Sequence, residues 1–139
     1  MATLVMMKGL PCSGKTDWAM KWVAAKAGRI RVSWTEILQL MGRGPSRLLR
    51  PLAVDAACRL VSLSLRQGCD VVLDERNLVP AEFIPFLTRA ELANANVVWQ
   101  NMNRTAAQCK AVNAKKGYPV RDMEIERLAT RWSEWLKEK

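Results

Sequence analysis

The chain alternates short apolar runs with stretches in which apolar residues recur every three or four positions. Thr3 to Lys8 (TLVMMK) is a continuous apolar run cut off by a glycine-rich segment, the pattern of a strand buried on both faces. From Lys15 to Lys26 the residues Trp18, Ala19, Trp22, Val23 and Ala25 follow helical spacing, and Gly28 stands where a helix C-terminus favours it. Arg29 to Val32 (RIRV) predicts a second short strand. Ser33 is then an N-cap, with Glu36 three residues on in a capping-box pattern, for a helix to about Met41. Glycines and prolines between Gly42 and Pro51 predict a basic, mobile connection, followed by a helix from about Leu52 to Gln67. Val71, Val72 and Leu73 predict a strand ending at Asp74. Pro80 suits the first turn of the next helix, although Pro85 within it predicts a later start or a kink.

Asn96 to Trp99 (NVVW) predicts a fourth strand, and Thr105 caps a helix to about Lys115. Gly117, Tyr118 and Pro119 turn the chain. A last helix places Ile125, Leu128, Ala129, Trp132, Trp135 and Leu136 on one stripe, the spacing of a face docked on a core, with both tryptophans as core residues. This alternation predicts an α/β fold: a three-layer α/β/α arrangement of about four parallel strands with helices on both faces, closed by the C-terminal amphipathic helix. At 139 residues, half of them apolar, the chain is sized for a single domain, 1–139.

Charge narrows the chemistry. A formal net charge of +9, from 22 basic and 13 acidic residues, favours polyanionic partners such as nucleotides or nucleic acid. The sequence contains no histidine, which excludes histidine triads and His-ligated metal sites and leaves carboxylates as the foremost candidates for a general base. Cys12, Cys58, Cys69 and Cys109 form no Cys-x-x-Cys pair, so neither a disulfide framework nor a zinc site is indicated, and a reducing cytosol is the expected setting. No apolar run is long enough to cross a bilayer, and the N-terminus lacks a leader-like stretch.

The segment Gly9, Leu10, Pro11, Cys12, Ser13, Gly14, Lys15, Thr16 (GLPCSGKT) matches the phosphate-binding pattern G-x-x-x-x-G-K-[ST] between a predicted strand and a predicted helix. This is the setting of the P-loop NTPase fold. Gly9 and Gly14 let the backbone wrap closely so that amide N–H groups face an anion. Lys15 would reach the β- and γ-phosphate oxygens of ATP, and the Thr16 hydroxyl would hold Mg²⁺. Asp74, at the carboxyl end of a strand, is the strongest carboxylate for binding Mg²⁺ through water or taking a substrate proton. Glu75 and Asn77 are weaker candidates, for which a turn or cap role serves equally well. Cys12 is a small filler of the loop.

GLPCSGKTDWA, VVLDERNL (Val71 to Leu78), NAKKG (Asn113 to Gly117) and the closing amphipathic helix occur in the order and spacing of the polynucleotide 5′-hydroxyl kinases of phage type and their small P-loop kinase relatives, which the chain resembles over nearly its whole length. The resemblance implies an ATP- and Mg²⁺-dependent phosphotransferase with Lys115 and Lys116 in a basic lid. It also implies an activating aspartate and an acceptor-binding arginine after the second strand, where this chain has Thr35 and Leu38 in SWTEIL (Ser33 to Leu38). Neither can do that work: a threonine hydroxyl is a poor proton acceptor and leucine cannot pair with an anion. Glu36, one position on, is the substitute catalytic carboxylate if the backbone shifts; otherwise it is the carboxylate of the capping box.

Val112 stands where the family has an arginine, leaving Lys110, Lys115, Lys116 and Arg104 to neutralise the triphosphate. Arg43, Arg47, Arg50 and Arg59, with Trp34, form a basic and aromatic patch suited to a single strand, and equally an ordinary exposed face. Three functions are therefore compatible with the sequence. One is transfer of the γ-phosphoryl to a hydroxyl of a nucleic acid or small polyanion, carried by Lys15, Thr16 and Asp74. The others are a catalytically degenerate ATP-binding module acting through a partner, and a small-metabolite kinase.

Overall fold

The computed structural model describes residues 1–115 and 122–137, with side chains as far as residue 133 in the last helix. Four strands, β1 (Thr3–Lys8), β2 (Arg29–Val32), β3 (Asp70–Leu73) and β4 (Asn96–Asn101), form one sheet in the order β2-β3-β1-β4 with every pairing parallel. Because successive residues of a strand face opposite sides, β1 divides its apolar run between two layers. Leu4 and Met6 point into a cluster with Val71, Leu73 and Phe86, beneath α3 (Ser46–Arg66) and α4 (Pro80–Leu92). Val5 and Met7 point the other way, with Val72, against Ala19, Trp18 and Trp22 of α1 (Lys15–Ala24). A third cluster joins Leu10 and Leu78 to Cys109 of α5 (Ala106–Asn113) and to Ile125 and Leu128 of α6 (Asp122–Lys137). It closes the carboxyl end of the sheet.

The predicted α/β architecture, with about four parallel strands and helices on both faces, is what folds. The stripe on the last helix docks as its spacing predicts: Ile125 and Leu128 are buried, and Ala129 and Trp132 pack beside them. The side chains of Trp135 and Leu136, and the turn at Gly117, Tyr118 and Pro119, lie outside the described residues. Three expectations need correction. The basic connection is largely helical: α3 begins at Ser46, capped by extended Pro45, and continues through Pro51. Pro51 lacks one N–H early in a 21-residue helix, so a single missing hydrogen bond is offset by the remaining turns and by burial of Ala53, Ala57, Val61 and Leu65. Likewise α4 starts at Pro80 itself, whose fixed φ suits the first helical position, and Pro85 is accommodated within it. β4 extends two residues beyond Trp99, because its pairing with β1 continues to Lys8↔Asn101.

The topology fixes where a ligand can sit. After β1 the chain turns to the α1 side of the sheet, and after β3 it turns to the α4 side. These two strands are neighbours, so a crevice opens between their carboxyl ends. Phe86 is fully buried in the cluster beneath α3 and α4, and Phe86→Ala should destabilise the fold by about 3–5 kcal/mol in urea unfolding monitored by circular dichroism.

Candidate phosphate-binding site

The loop Gly9–Thr16 leaves β1 and feeds α1. Its shape requires its glycines: a Cβ on Gly9 would lie 2.5 Å from Ser13 Oγ and 3.0 Å from Met102 Cβ, and Gly14 has φ of 93°, a left-handed conformation that side chains disfavour. Cys12 also adopts a positive φ of 65°, at the crest, where its thiol donates to Asn113 Oδ1 at 3.7 Å. The loop is tied down by Gly9 N–H donating to the Arg76 carbonyl at 3.1 Å and by Arg104 Nη1 donating to the Cys12 carbonyl at 2.8 Å. The N–H groups of Lys15 and Thr16 open α1 and have no intrahelical acceptor, so they are presented to the crevice. Lys15 Nζ folds back on its own loop, donating to the carbonyls of Gly9 at 2.9 Å and Leu10 at 2.7 Å. Burial lowers its pKa to about 8, against the opposing attraction of Asp74 and Glu75.

Asp74 follows β3 directly and is buried. Its Oδ2 accepts from Thr16 Oγ1 at 2.8 Å and from Arg31 Nε at 2.8 Å. Arg31, from β2, also forms a fork on Glu36, its Nη1 and Nη2 each 2.8 Å from a carboxylate oxygen. That pairing holds the Glu36 carboxyl below its ordinary range and raises the Arg31 guanidinium. The capping box at Ser33 is therefore only half formed. The Ser33 hydroxyl accepts from Glu36 N–H at 3.3 Å, but the Glu36 carboxylate turns to Arg31 instead of the cap backbone. Glu75 takes over the N-terminus of α2 (Trp34–Leu40), accepting from Ser33 Oγ, Thr35 N–H and Thr35 Oγ1, each at 2.9 Å. Burial holds its carboxyl above the ordinary carboxylate range, against the opposing pull of these donors.

Two cavities meet on Lys15 and Thr16. One, of about 330 Å³, is lined by Gly14, Asp17, Arg104 and Val112 as well as Cys12. The other, of about 460 Å³, is lined by Arg31, Thr35, Glu36, Asp74, Glu75 and Asn113, among others. Of the residues singled out in the sequence, Pro11, Cys12, Gly14, Lys15, Thr16, Asp74 and Glu36 line these cavities, whereas Gly9, Leu10 and Ser13 are buried behind them and do not, Leu10 packing in the third core cluster. Lys115 is exposed at the end of α5, and Lys116 lies outside the described residues. Lys110 is engaged with Glu126. Leu38 is half-buried and does not line either cavity.

Sequence reasoning missed Arg31, which binds both carboxylates that matter most; a charged residue one step from the carboxyl end of a short strand was the available signal. It also underrated Asn77, fully buried at φ of 47°, whose amide donates to the Met7 carbonyl at 2.7 Å and so fastens the segment after β3 to β1.

The donor set suits a triphosphate with a divalent cation. A hydroxyl and a carboxylate 2.8 Å apart beside unpartnered helix N–H groups match a cation that keeps water and phosphate oxygens as its other ligands. No group of three metal-ligating side chains occurs among the described residues, so a dedicated protein cage for a metal is not indicated there.

A parallel sheet with a phosphate loop at its switch point, a hydroxyl-bearing Thr16 and an acidic residue just after the adjacent strand define a P-loop kinase-like domain. The chain belongs to the AAA domain family, whose model matches residues 4–135. No curated protein matches. Among solved structures, a chain of the Pnkp1/Rnl/Hen1 RNA repair complex superposes with a TM-score of 0.80 at 14% identity, covering 99% of this chain and 46% of that one. This chain therefore spans about half the length of that relative. A putative kinase from Chloroflexus aurantiacus gives a TM-score of 0.70 at 15% identity, covering 94% and 79%. Chaetomium thermophilum Kti12 in complex with ADP-AlF3 gives 0.59 at 17% identity, covering 92% and 79%. At such identities these likenesses show the fold alone.

Asn77→Ala removes the donor to Met7 and leaves a Cβ residue without a side-chain amide in a left-handed conformation. It should cost about 2–3 kcal/mol in urea unfolding.

Proposed function

We propose that this chain is an ATP-dependent phosphotransferase that passes the γ-phosphoryl group to a hydroxyl of a nucleic acid or small polyanion. The observation that carries this reading is the meeting of two cavities on Lys15 and Thr16, one suited to a triphosphate and the other to an acceptor. The P-loop N–H groups and Arg104 bind the triphosphate, and Lys115 and Lys116 are the further cations that the resemblance to polynucleotide kinases assigns to it. Lys15 leaves the carbonyls of Gly9 and Leu10 for the β- and γ-phosphate oxygens, trading two neutral acceptors for charged ones. Thr16 and Asp74 are the residues that would hold Mg²⁺, which when bound neutralises charge on the transferring group. Arg31 and Glu36 line the acceptor side. Arg31 supplies the cation that Leu38 does not, and Glu36 is the candidate to receive the hydroxyl proton. Phosphoryl transfer asks little covalent chemistry of the protein, so this positioning and neutralisation are the main contribution. Similarity of fold to a chain of an RNA repair complex and to Mycobacterium tuberculosis APS kinase supports phosphotransfer as the class without choosing the acceptor.

A second reading, an ATP-binding module that works through a partner, draws on a specific feature. Both Glu36 oxygens are bound by Arg31 and the Thr35 hydroxyl is bound to Glu75, so the base must be released before it can act. A small-metabolite kinase would share the donor half and differ in the acceptor.

Incubation with labelled ATP, Mg²⁺ and a 5′-hydroxyl oligonucleotide or a panel of hydroxyl metabolites should give transfer that Lys15→Ala reduces by at least about a hundredfold. Tight Mg-ATP binding by calorimetry, with no turnover on any acceptor, would establish the module instead. The lowered pKa of Lys15 supplies a second expectation. Phosphate favours the ammonium form, so at pH 8 nucleotide binding should take up about half a proton, and at pH 6.5 almost none. Calorimetry in buffers of different ionisation enthalpy reads this directly, and Lys15→Met should abolish the uptake.

A further inference from the structure

β4 lies at the edge of the sheet. It pairs with β1 on one side, and among the described residues nothing pairs with it on the other. Sheet edges are ordinarily protected by charged side chains, proline, a bulge or a very short strand. β4 has none of these devices. Its six residues, NVVWQN, include no charge and no proline, and its register with β1 runs unbroken from Thr3↔Asn96 to Lys8↔Asn101. Val97 and Val98, on opposite faces of the sheet, stand 39% and 49% exposed. The other edge follows the rule: β2 has only four residues, and two of them are Arg29 and Arg31. An open, uncharged and apolar ladder in a chain of net charge +9 is a surface that calls for a strand.

The hydrogen bonds to β1 define which groups are open. Asn96 N–H donates to the Ala2 carbonyl at 2.9 Å, and Met102 N–H donates to the Lys8 carbonyl at 2.7 Å. In a parallel ladder the N–H and C=O of one residue point to the same neighbour, and the direction alternates along the strand. Asn96, Val98 and Gln100 therefore face β1, and the N–H and C=O of Val97, Trp99 and Asn101 face outward. These outward positions are symmetric about Trp99. An antiparallel copy of the strand, with its two-fold axis at Trp99, sets Trp99 opposite Trp99 and Val97 opposite Asn101 in both directions. Each of these pairs exchanges both N–H···O bonds, and Val98 falls opposite Gln100 on the other face. No outward group of β4 is left over, and no charge meets a like charge along the strand.

We propose that β4 is the interface of a two-fold dimer, in which a second copy of this chain adds its own β4 antiparallel and joins the two sheets into one. The arginines on β2 oppose further edge-to-edge growth, so the assembly closes as a pair instead of a fibre. Strands of the two copies run in opposite directions, which puts the two phosphate crevices at opposite rims of the joined sheet and covers neither. The dimer is thus independent of the phosphotransfer reading.

The test is sedimentation equilibrium without nucleotide, from about 1 to about 100 µM protein. The wild type should reach twice the mass of one chain at the upper concentrations and go no further. Val97→Pro removes an outward N–H and no bond to β1, so it should weaken association at least about tenfold with the far-UV circular dichroism of the wild type retained. Val97→Lys/Asn101→Lys sets lysine against lysine across the axis and should be monomeric. Val97→Lys/Asn101→Glu sets lysine against glutamate and should associate at least about tenfold more tightly than the lysine pair. Within one chain these positions are about 13 Å apart, so that rescue requires the second copy. If Val97→Pro does not fold, the two charge variants decide, since both keep every backbone N–H. A wild type still monomeric at about 100 µM, a mass that climbs past two copies, or equal association of the two charge variants would overturn the proposal. A dimer that transfers no phosphoryl group would uphold it and remove the phosphotransfer reading; transfer by a monomeric wild type would do the reverse.

Discussion

The parallel pairing of β1 with β3 is the constraint on which the site depends. It places the end of the strand that feeds the phosphate loop beside the end of the strand that carries Asp74, with Leu4↔Val71, Val5↔Val72 and Met6↔Leu73 in register. Beyond the last pair the two chains part to opposite faces of the sheet, and their separation would leave buried polar backbone without partners. Asn77 and Gly9 close that gap. The Asn77 amide donates to the Met7 carbonyl, and the Gly9 N–H donates to the Arg76 carbonyl, so the two segments are stitched above the last ladder bond. A shift of one residue in this register would send Thr16 and Asp74 to different neighbours, because side chains alternate faces with every step.

The stitched crevice must then hold charge in a place that water reaches poorly. Asp74 is buried, and an uncompensated carboxylate there would be costly. Arg31 compensates it, and Glu36 occupies the rest of the same guanidinium. Lys15 faces the related problem from the other sign: burial disfavours its charge, and two loop carbonyls hold the ammonium in the absence of phosphate. The crevice thus carries an internal set of placeholders. The side chains of Lys15, Thr16, Asp74 and Glu36 are each satisfied by a neighbour that an incoming phosphate or cation can replace on better terms. This permits a buried, charged site to exist in a stable protein before any ligand arrives.

How much of this was legible in the sequence follows from how far apart the partners lie along the chain. The phosphate loop, its flanking strand and helix, and the Ser33 cap depend on residues within a few positions of each other, and local pattern revealed them. The four strands and the stripe of α6 were visible because burial imposes a period of two or of three to four. Arg31 and Asp74 are 43 residues apart and Thr35 and Glu75 are 40 apart, so nothing local announces either contact. The start of α3 was misread for a different reason. Glycine and proline punctuate most chains, but here the apolar face of a long helix outweighs the single N–H that Pro51 lacks.

The same difference in range separates the two halves of the site. The donor half is built from eight consecutive residues and one carboxylate, so a change at any one of them is felt immediately and its chemistry can be named from the motif. The acceptor half draws on β2, α2 and the segment after β3, and it opens into a groove walled by three further helices. Its residues touch one another more than they touch the loop, so they can be exchanged together while the phosphate machinery stays fixed. Thr35 is satisfied by Glu75, which caps α2 from the segment after β3, and Arg31 is held between Asp74 and Glu36. On the phosphotransfer reading, substrate choice is therefore encoded in contacts between distant segments, and use of a nucleotide in one short run of the chain.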